Sequence, residues 1–331
     1  MHKAWDIRVD DEPDPEPGPG ECLVRVTAVG ICGSDLHWLT EGSIGDATVS
    51  HPLVLGHEAA GVIAAGPREG ERVAGRPAAA APRIGQRVAI DPAIPCEKCR
   101  ACRDGYRNLC PDVVFAGHGE TDGALRELMA WPEHRLHPLP GTVSDAAGAL
   151  LEPLGVAIQC VDLGHLPFGG TAAVIGCGPI GLLLISLLKR SGASSVLAVE
   201  PLAHRREAAA GLGADVGSGE PVDVAFEVAG NNDAVQAAFD SVRPGGRVVL
   251  AGIPDDDTIA FRAGTARRKG LTIALVRRMN EVYPRAIDLA ARGAVDLDAL
   301  VTARAGLADV APAFQRAVRR TGLKTVIEPQ R

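Results

Sequence analysis

The chain has 331 residues, 46% apolar and 23% charged, with a formal net charge of −7. That length corresponds to about two domains, and such a chain buries about three quarters of its unfolded surface without help from disulfides. The acidic balance argues against a general nucleic-acid binder, whose phosphate contacts need a basic face. The longest apolar run, residues 182–188, falls far short of the about 20 residues of a bilayer span, and the start MHKAWDIRVDDEPDPEP lacks the basic and apolar regions of a secretory signal. The expectation is a cytoplasmic protein with no nucleic acid and no membrane among its partners.

Residues 1–9 and 22–29 (CLVRVTAV) read as strands flanking DDEPDPEPGPGE, a solvated turn. Further strand-like runs lie at 59–65 and 87–90, and the β character ends near residue 140. REGERVAG and RIGQRVAI resemble each other, but two copies of a short pattern do not make a repeat architecture, and RPAAAAPR reads as an exposed loop. After residue 150 strands at 171–175, 195–199, 222–228, 247–251 and 271–276 alternate with helices at 181–191, 202–212 and 234–242. That interleaving is the α/β pattern, a parallel sheet with right-handed crossovers. Only GADVGSGEP separates the second helix from residue 222. A parallel crossover needs about a dozen residues or more, so a small strand at 214–216 lacks a following helix and this edge of the sheet is trimmed.

Eight cysteines stand at Cys22, Cys32, Cys96, Cys99, Cys102, Cys110, Cys160 and Cys177. In a cytosolic chain such clustering points to metal or catalysis before disulfides. Cys96, Cys99, Cys102 and Cys110 form C-x2-C-x2-C-x7-C. Four thiolates close on Zn²⁺ as a tetrahedron and leave no open position, so such a site clips a loop and does no chemistry. An iron–sulfur cluster is the alternative, but the neighbours Glu97, Lys98, Arg100, Arg103 and Asp104 suit an exposed lobe, here residues 91–112, better than a shielded redox centre.

Gly176-Cys177-Gly178-Pro179-Ile180-Gly181 is G-x-G-x-x-G. With 39 glycines in the chain, a chance match is close to even odds, roughly 0.5, so context decides. The motif follows an apolar strand and opens an apolar helix. Gly176 suits the tight turn, Gly178 the approach of a pyrophosphate, and Gly181 close packing of helix on strand, with the helix N-terminus facing the phosphates. Glu200 ends the next strand, where a carboxylate accepts ribose hydroxyls and repels a 2′-phosphate; this favours NAD over NADP, although Arg205 and Arg206 are placed to offset it.

A second constellation is spread over GICGSDLHW, LGHE and LLEPL: Cys32, His57, Glu58 and Glu152. Thiolate, imidazole and carboxylate are metal donors, yet each residue also reads as an ordinary buried cysteine or a satisfied polar side chain.

GICGSDLHW, PLVLGHEAAG, the four-cysteine lobe and GCGPIG occur in this order, and together they resemble the zinc-dependent medium-chain dehydrogenase/reductase superfamily, its polyol branch best (sorbitol, xylitol and L-idonate dehydrogenases). Glu-Pro-Leu at 152–154 and the tail GLKTVIEP extend the resemblance through nearly the whole chain. It implies a GroES-like β-rich catalytic domain over 1–155 and 290–331, around a Rossmann doubly wound NAD-binding domain over 156–289. It implies two zinc ions per chain: a catalytic one on Cys32, His57 and Glu58, with Glu152 coordinating directly or through water, and a structural one on the four-cysteine lobe. Asp35 then orients His57, and Ser34 and His37 relay the alcohol proton outward. The implied reaction is hydride transfer between a secondary alcohol of a polyol or sugar acid and NAD⁺, in a homotetramer or homodimer whose strand at 271–276 pairs across subunits. Arg277 aligns with a substrate-contacting arginine, Arg278 stands beside it, and Phe115 is a pocket wall. An L-threonine or aminocyclitol dehydrogenase and a non-catalytic nucleotide-sensing homologue are the alternatives. Three departures are a glycine spacing one residue short after GHE (Gly61 to Gly66), an expanded loop at 67–83, and Trp38 where polyol enzymes often carry a substrate-contacting tyrosine.

Overall fold

A computed structural model describes residues 1–67, 82–254 and 257–331. The chain divides into two compact units, Met1–Glu152 with Tyr283–Arg331, and Pro153–Val282.

The first unit is built on a sheet of seven strands among the described residues. Its centre is Glu21–Gly30, where Cys22, Val24 and Val26 point inward and residues between them face out, the period-two signature of a strand with one face on a core. These side chains pack with Ile63, Val88, Ile90, Met129, Trp131 and Leu136. Glu58–Ala65 and Lys324–Ile327 both pair antiparallel with this central strand, and Gly30 lies opposite Glu58 on one side and Val326 on the other. The first residues of both neighbours, Glu58 and Lys324, therefore converge at the Gly30 end. Val301–Ala305 adds in parallel beyond Lys324–Ile327, so the C-terminal segment completes the N-terminal sheet.

Residues 1–9 correct the sequence reading. They form no strand; His2 N–H donates to Asp6 O, Lys3 and Asp6 make an isolated bridge, and Trp5 sits at φ 61°. Met1 is held by its carbonyl, which accepts Leu53 N–H at 2.9 Å. Most of the expanded loop at 67–83, with all but the last two residues of RPAAAAPR, lies outside the described residues.

The second unit carries a six-stranded parallel sheet in the order Asp215–Val216, Ser195–Val199, Thr171–Ile175, Val222–Glu227, Val242–Leu250, Thr272–Leu275. The chain winds outward from Thr171–Ile175 in one direction and returns to continue in the other. Strand order thus reverses between Thr171–Ile175 and Val222–Glu227, the switch point where open α/β sheets bind ligands beyond their carboxyl ends. Asp215–Val216 is a two-residue edge strand with no helix before Val222, as the short connector dictates. Helices Pro179–Arg190, Ala203–Gly211 and Asn232–Ser241 fall where the periodicity places them, within two residues at each start and one at each end. The strand expected from residue 247 begins at Val242 and bends over Pro244-Gly245-Gly246, with its register shifted before Val224. No helix among the described residues is long and apolar enough to cross a membrane.

Asp223 clasps the entry to this sheet. Its Oδ2 accepts Thr171 N–H at 2.8 Å and Thr171 Oγ1–H at 3.1 Å, and its Oδ1 accepts Arg243 Nε–H at 2.7 Å. Those bonds hold its carboxyl below the usual aspartate range, the Thr171 backbone bond contributing most. A depressed folded-state pKa gives stability that is present above the unfolded value, about 3.9, and is lost as pH falls through the folded one. Asp223→Asn is expected to lose about 1–2 kcal/mol at pH 7. In urea titrations its deficit should begin to shrink as pH falls below about 3.9 and go on shrinking through the lower folded-state pKa; a deficit independent of pH would show that the charge is not what matters.

Candidate metal and cofactor sites

Cys32 ends the turn after the central strand and caps the helix Gly33–Glu41. Asp35, one turn in, is fully buried and receives three groups: Cys32 N–H on Oδ2 at 2.8 Å, Gly56 N–H on Oδ1 at 3.3 Å, and His57 Nδ1 near Oδ1 at 3.5 Å. One carboxylate thereby fixes both the GICGSD and the LGHE segments. With Nδ1 turned to Asp35, the outward nitrogen of His57 is Nε2, which lies 3.4 Å from Ser34 Oγ. A sulfur of Cys32, a ring nitrogen of His57 and a carboxylate oxygen of Glu58 all come within 4.8 Å of one another. Glu152, on the helix Leu151–Gly164, is buried beside them but falls outside that group.

Sequence reasoning missed Lys324. Its buried Nζ donates to Ile31 O at 2.9 Å and to both Glu58 oxygens at 2.7 Å. Gly30 makes room for this pair, because a Cβ there would collide with Glu58 Oε2. The signal was present in GLKTVIEP, but only the antiparallel register of two distant strands brings the lysine to the glutamate.

Charge is concentrated here. Burial alone would push the His57 imidazole down, but Asp35 and Cys32 beside it outweigh this and hold its pKa well above the usual histidine range. Burial pushes the Glu152 carboxyl up to about 7, with His57 opposing and Glu58 reinforcing the rise. For Lys324, burial is outweighed by the Glu58 charge and the ammonium is stabilised. Asp35, Glu58 and Glu152 are buried around one histidine and one lysine, with the Cys32 thiol half-buried beside them, a donor set that suits a divalent cation.

The four-cysteine lobe also closes as its spacing predicts. Its sulfurs all lie within 4.8 Å, with Cys99 and Cys110 at 4.0 Å. A disulfide is about 2.05 Å, whereas the edge of a tetrahedron with 2.3 Å metal–sulfur bonds is about 3.8 Å. Backbone N–H groups of Cys96, Cys99 and Cys102 point at sulfurs of Cys110, Cys96 and Cys99 at 3.3–3.4 Å. The Lys98 backbone bond leads in bringing the Cys96 thiol down to about 7, while burial pushes Cys102 up to about 12.

In the second unit Gly176 takes φ 97°, and a Cβ on Gly181 would collide with the Gly176 carbonyl. The first and third glycines of the fingerprint are thus required by the backbone. Gly178 is the N-cap of the helix Pro179–Arg190, with Pro179 opening it, Ile180 half-buried in its first turn and no side chain capping it. An uncapped, glycine-flanked helix start offers N–H groups to an anion. Arg205 Nη1 lies 3.6 Å from where a Gly178 Cβ would stand. Glu200 is buried; Oε2 accepts Cys177 N–H at 2.8 Å and Oε1 accepts Leu202 N–H at 2.9 Å. Each oxygen keeps a lone pair for a ribose hydroxyl.

Among the expected substrate contacts, Phe115 packs its ring 5.4 Å from that of His57. Trp38 is 1% exposed and packs with Leu39, Leu53 and Phe314. An indole at that helix position faces inward, and His118, unremarked in the sequence, stands between its edge (5.5 Å) and Phe115 (6.5 Å). His37 is half-buried on the same helix as Ser34, one turn on. Arg277 is exposed and belongs to the second unit, as does Arg278, at φ 53°.

Removing Lys324 leaves Glu58 buried without its partner. Lys324→Met is expected to cost about 3–5 kcal/mol in the metal-free protein, and saturating Zn²⁺ should restore part of it, read by chemical denaturation with and without metal; equal losses in both conditions would show that Glu58 does not face the ion. Asp35→Ala should weaken zinc binding about 10–100-fold by competitive chelator titration, and an unchanged affinity would remove Asp35 from the site's support.

Residues 18–141 match the family described as alcohol dehydrogenase GroES-like domain, and residues 179–292 match zinc-binding dehydrogenase. The chain is 34% identical to the sorbitol dehydrogenase of Bacillus subtilis over 100% of its own length and 96% of that enzyme's. Its fold is similar to that of a putative zinc-binding dehydrogenase from Sinorhizobium meliloti bound to NADP, at TM-score 0.87 and 28% identity, covering 99% of this chain and 97% of that one. It is also similar to L-idonate 5-dehydrogenase of Escherichia coli, at TM-score 0.85 and 27% identity, covering 94% and 91%. With both halves matched and end-to-end similarity to a sorbitol dehydrogenase, the chain belongs to the zinc-dependent medium-chain dehydrogenase family, in its polyol dehydrogenase branch.

Proposed function

We propose that the protein oxidises a secondary alcohol of a polyol or sugar acid with NAD⁺ as hydride acceptor, using one zinc ion at Cys32, His57 and Glu58 and a second, structural one at Cys96, Cys99, Cys102 and Cys110. The observation that carries this reading is the approach of sulfur, nitrogen and oxygen donors from Cys32, His57 and Glu58 to within 4.8 Å, with His57 and Glu58 buried. Three protein donors leave a fourth position for substrate oxygen, the pattern of catalytic zinc, whereas four sulfurs leave none.

Bound zinc supplies Lewis acidity to an alcohol oxygen, and bound nicotinamide supplies the hydride acceptor. The chain's own residues do the rest. Asp35 fixes the ring and tautomer of His57. Lys324 fixes the Glu58 carboxylate. Glu152, with a carboxyl near neutrality, coordinates as a further donor or holds a proton beside the reacting oxygen. Ser34 Oγ, 3.4 Å from His57 Nε2, is placed to accept the alcohol's proton, and His37, one helical turn on, passes it outward. Phe115 walls the substrate side of His57. Arg277, with Arg278, meets substrate hydroxyls or a sugar-acid carboxylate.

Glu200 favours NAD. Its buried carboxylate, tied to the fingerprint turn through Cys177 N–H, would stand against a 2′-phosphate; Arg206 is occupied with the Glu200 and Pro201 carbonyls. Thr272–Leu275 is an edge strand with Leu275 71% exposed, and pairing of two copies along it gives the homodimer, or the dimer within a homotetramer. The chain works in the cytoplasm, where its eight free thiols remain reduced.

Metal analysis should find two zincs per chain, one lost in Cys32→Ala together with NADH formation on a polyol and sugar-acid panel, the other lost in Cys99→Ala; a single zinc indifferent to Cys32→Ala contradicts the catalytic assignment. Glu200→Ala should lower the preference for NAD⁺ over NADP⁺ about tenfold or more in kcat/KM, and an unchanged ratio would show that Glu200 does not read the ribose.

A further inference from the structure

Glu227 closes the strand Val222–Glu227 and is 1% exposed, a buried carboxylate with no part in the chemistry above. Its Oε1 accepts Ala229 N–H and Gly230 N–H, both at 2.7 Å. Its main-chain carbonyl accepts Ala251 N–H at 2.9 Å and Gly252 N–H at 3.2 Å from the end of the neighbouring strand. One residue therefore ties together the two turns that leave the carboxyl ends of adjacent strands.

Those turns are in tight contact. Gly230 takes φ 76°, and a Cβ on it would collide with the Ile253 carbonyl; a Cβ on Gly252 would stand 2.7 Å from Glu227 Oε2 and collide with Gly230 N. On the other side, Val228 N–H donates to Ile175 O at 3.0 Å, and a Cβ on Gly176 would meet Ala229 Cβ, N and Cα at 3.0–3.2 Å. The Ala229–Gly230 turn thus leans on the first glycine of the dinucleotide fingerprint, at the point where strand order reverses. A buried carboxylate is costly to retain, and a neutral apolar residue would pack the same space. What the carboxylate adds is a fixed position for two N–H groups that otherwise point into the strand end without partners.

We propose that Glu227 is a positioning residue for the nicotinamide cofactor: its carboxylate locks the Ala229–Gly230 turn against Gly176, and this turn is the wall of the cradle opposite the fingerprint helix. The inference rests on the cofactor reading above. Glu227 touches no reacting atom, so its removal loosens cofactor binding and leaves alcohol binding nearly unchanged.

The test is NADH binding to the zinc-loaded full chain, followed by fluorescence, with thermal unfolding measured in parallel. Glu227→Ala should raise the NADH Kd about tenfold or more, the scale of a lost buried hydrogen bond, and raise KM for NAD⁺ similarly, with KM for the alcohol within about twofold of wild type. Glu227→Gln keeps an oxygen for both N–H groups and should restore Kd to within about threefold of wild type. A Glu227→Ala protein that melts lower but binds NADH as tightly as wild type, or a Glu227→Gln protein as impaired as Glu227→Ala, overturns the proposal. Should Glu227→Ala not fold, Gly252→Ala decides: pressing the same turn from the other side, it is expected to raise Kd about tenfold, and an unchanged Kd overturns the proposal. Wild-type chain that binds no NADH overturns the cofactor reading along with it, whereas wild-type binding with an unaffected Glu227→Ala overturns this inference alone.

Discussion

Three carboxylates, a thiol and an imidazole share the interior at one end of the first sheet, and Lys324 is the cation set against them. Removing such groups from water is expensive unless each is paired. The rest of the first unit follows from meeting that cost. The C-terminal strand returns beside the N-terminal one so that Lys324 reaches Glu58, Gly30 gives up its side chain to admit the carboxylate, and Asp35 spends its oxygens on backbone N–H groups of Cys32 and Gly56 as well as on His57. The Asp35 charge that raises the His57 pKa must give way to a neutral imidazole when a metal binds, so metal binding and proton release are coupled there.

In the second unit backbone geometry, not charge, sets the constraint. The fingerprint glycines and the pair Gly230 and Gly252 mark places where main chain lies against main chain with no room for a methyl group. Both sets cluster at the carboxyl ends of the sheet. Such strand ends suit recognition of a nucleotide's diphosphate by N–H groups and close approach, which needs absent side chains more than particular ones. Acidic groups then adjust the crevice: Glu200 steadies the fingerprint turn and Glu227 the turn beside it.

Local pattern carried most of the fold. Five of the parallel strands and three of the helices between them were legible because each is a short, self-contained run whose periodicity its own residues declare, whereas the helix Ala263–Lys269 went unread. The trimmed edge at Asp215–Val216 was legible by counting, since nine residues cannot make a crossover. The four-cysteine lobe was legible because its ligands sit within fifteen residues. Residues 1–9 misled because their backbone is held by a turn and by Leu53 N–H instead of by a strand partner. The packing of Trp38 was not legible, because which face of a helix meets the core depends on Leu53 and Phe314, far away in the chain. Lys324 and Glu227 escaped notice for the same reason: a lone lysine and a lone glutamate acquire meaning only from strand register and from turns that close over them.

The central claim is that Cys32, His57 and Glu58 hold a zinc ion with a position open to substrate. Anomalous diffraction at the zinc edge, on crystals of the metal-loaded protein, tests it most directly. The account predicts a peak about 2.3 Å from Cys32 Sγ and about 2.0–2.1 Å from His57 Nε2, with a carboxylate oxygen as third protein donor, separate from the peak at the four cysteines. A single peak at the four-cysteine lobe, with nothing beside Cys32, would contradict it.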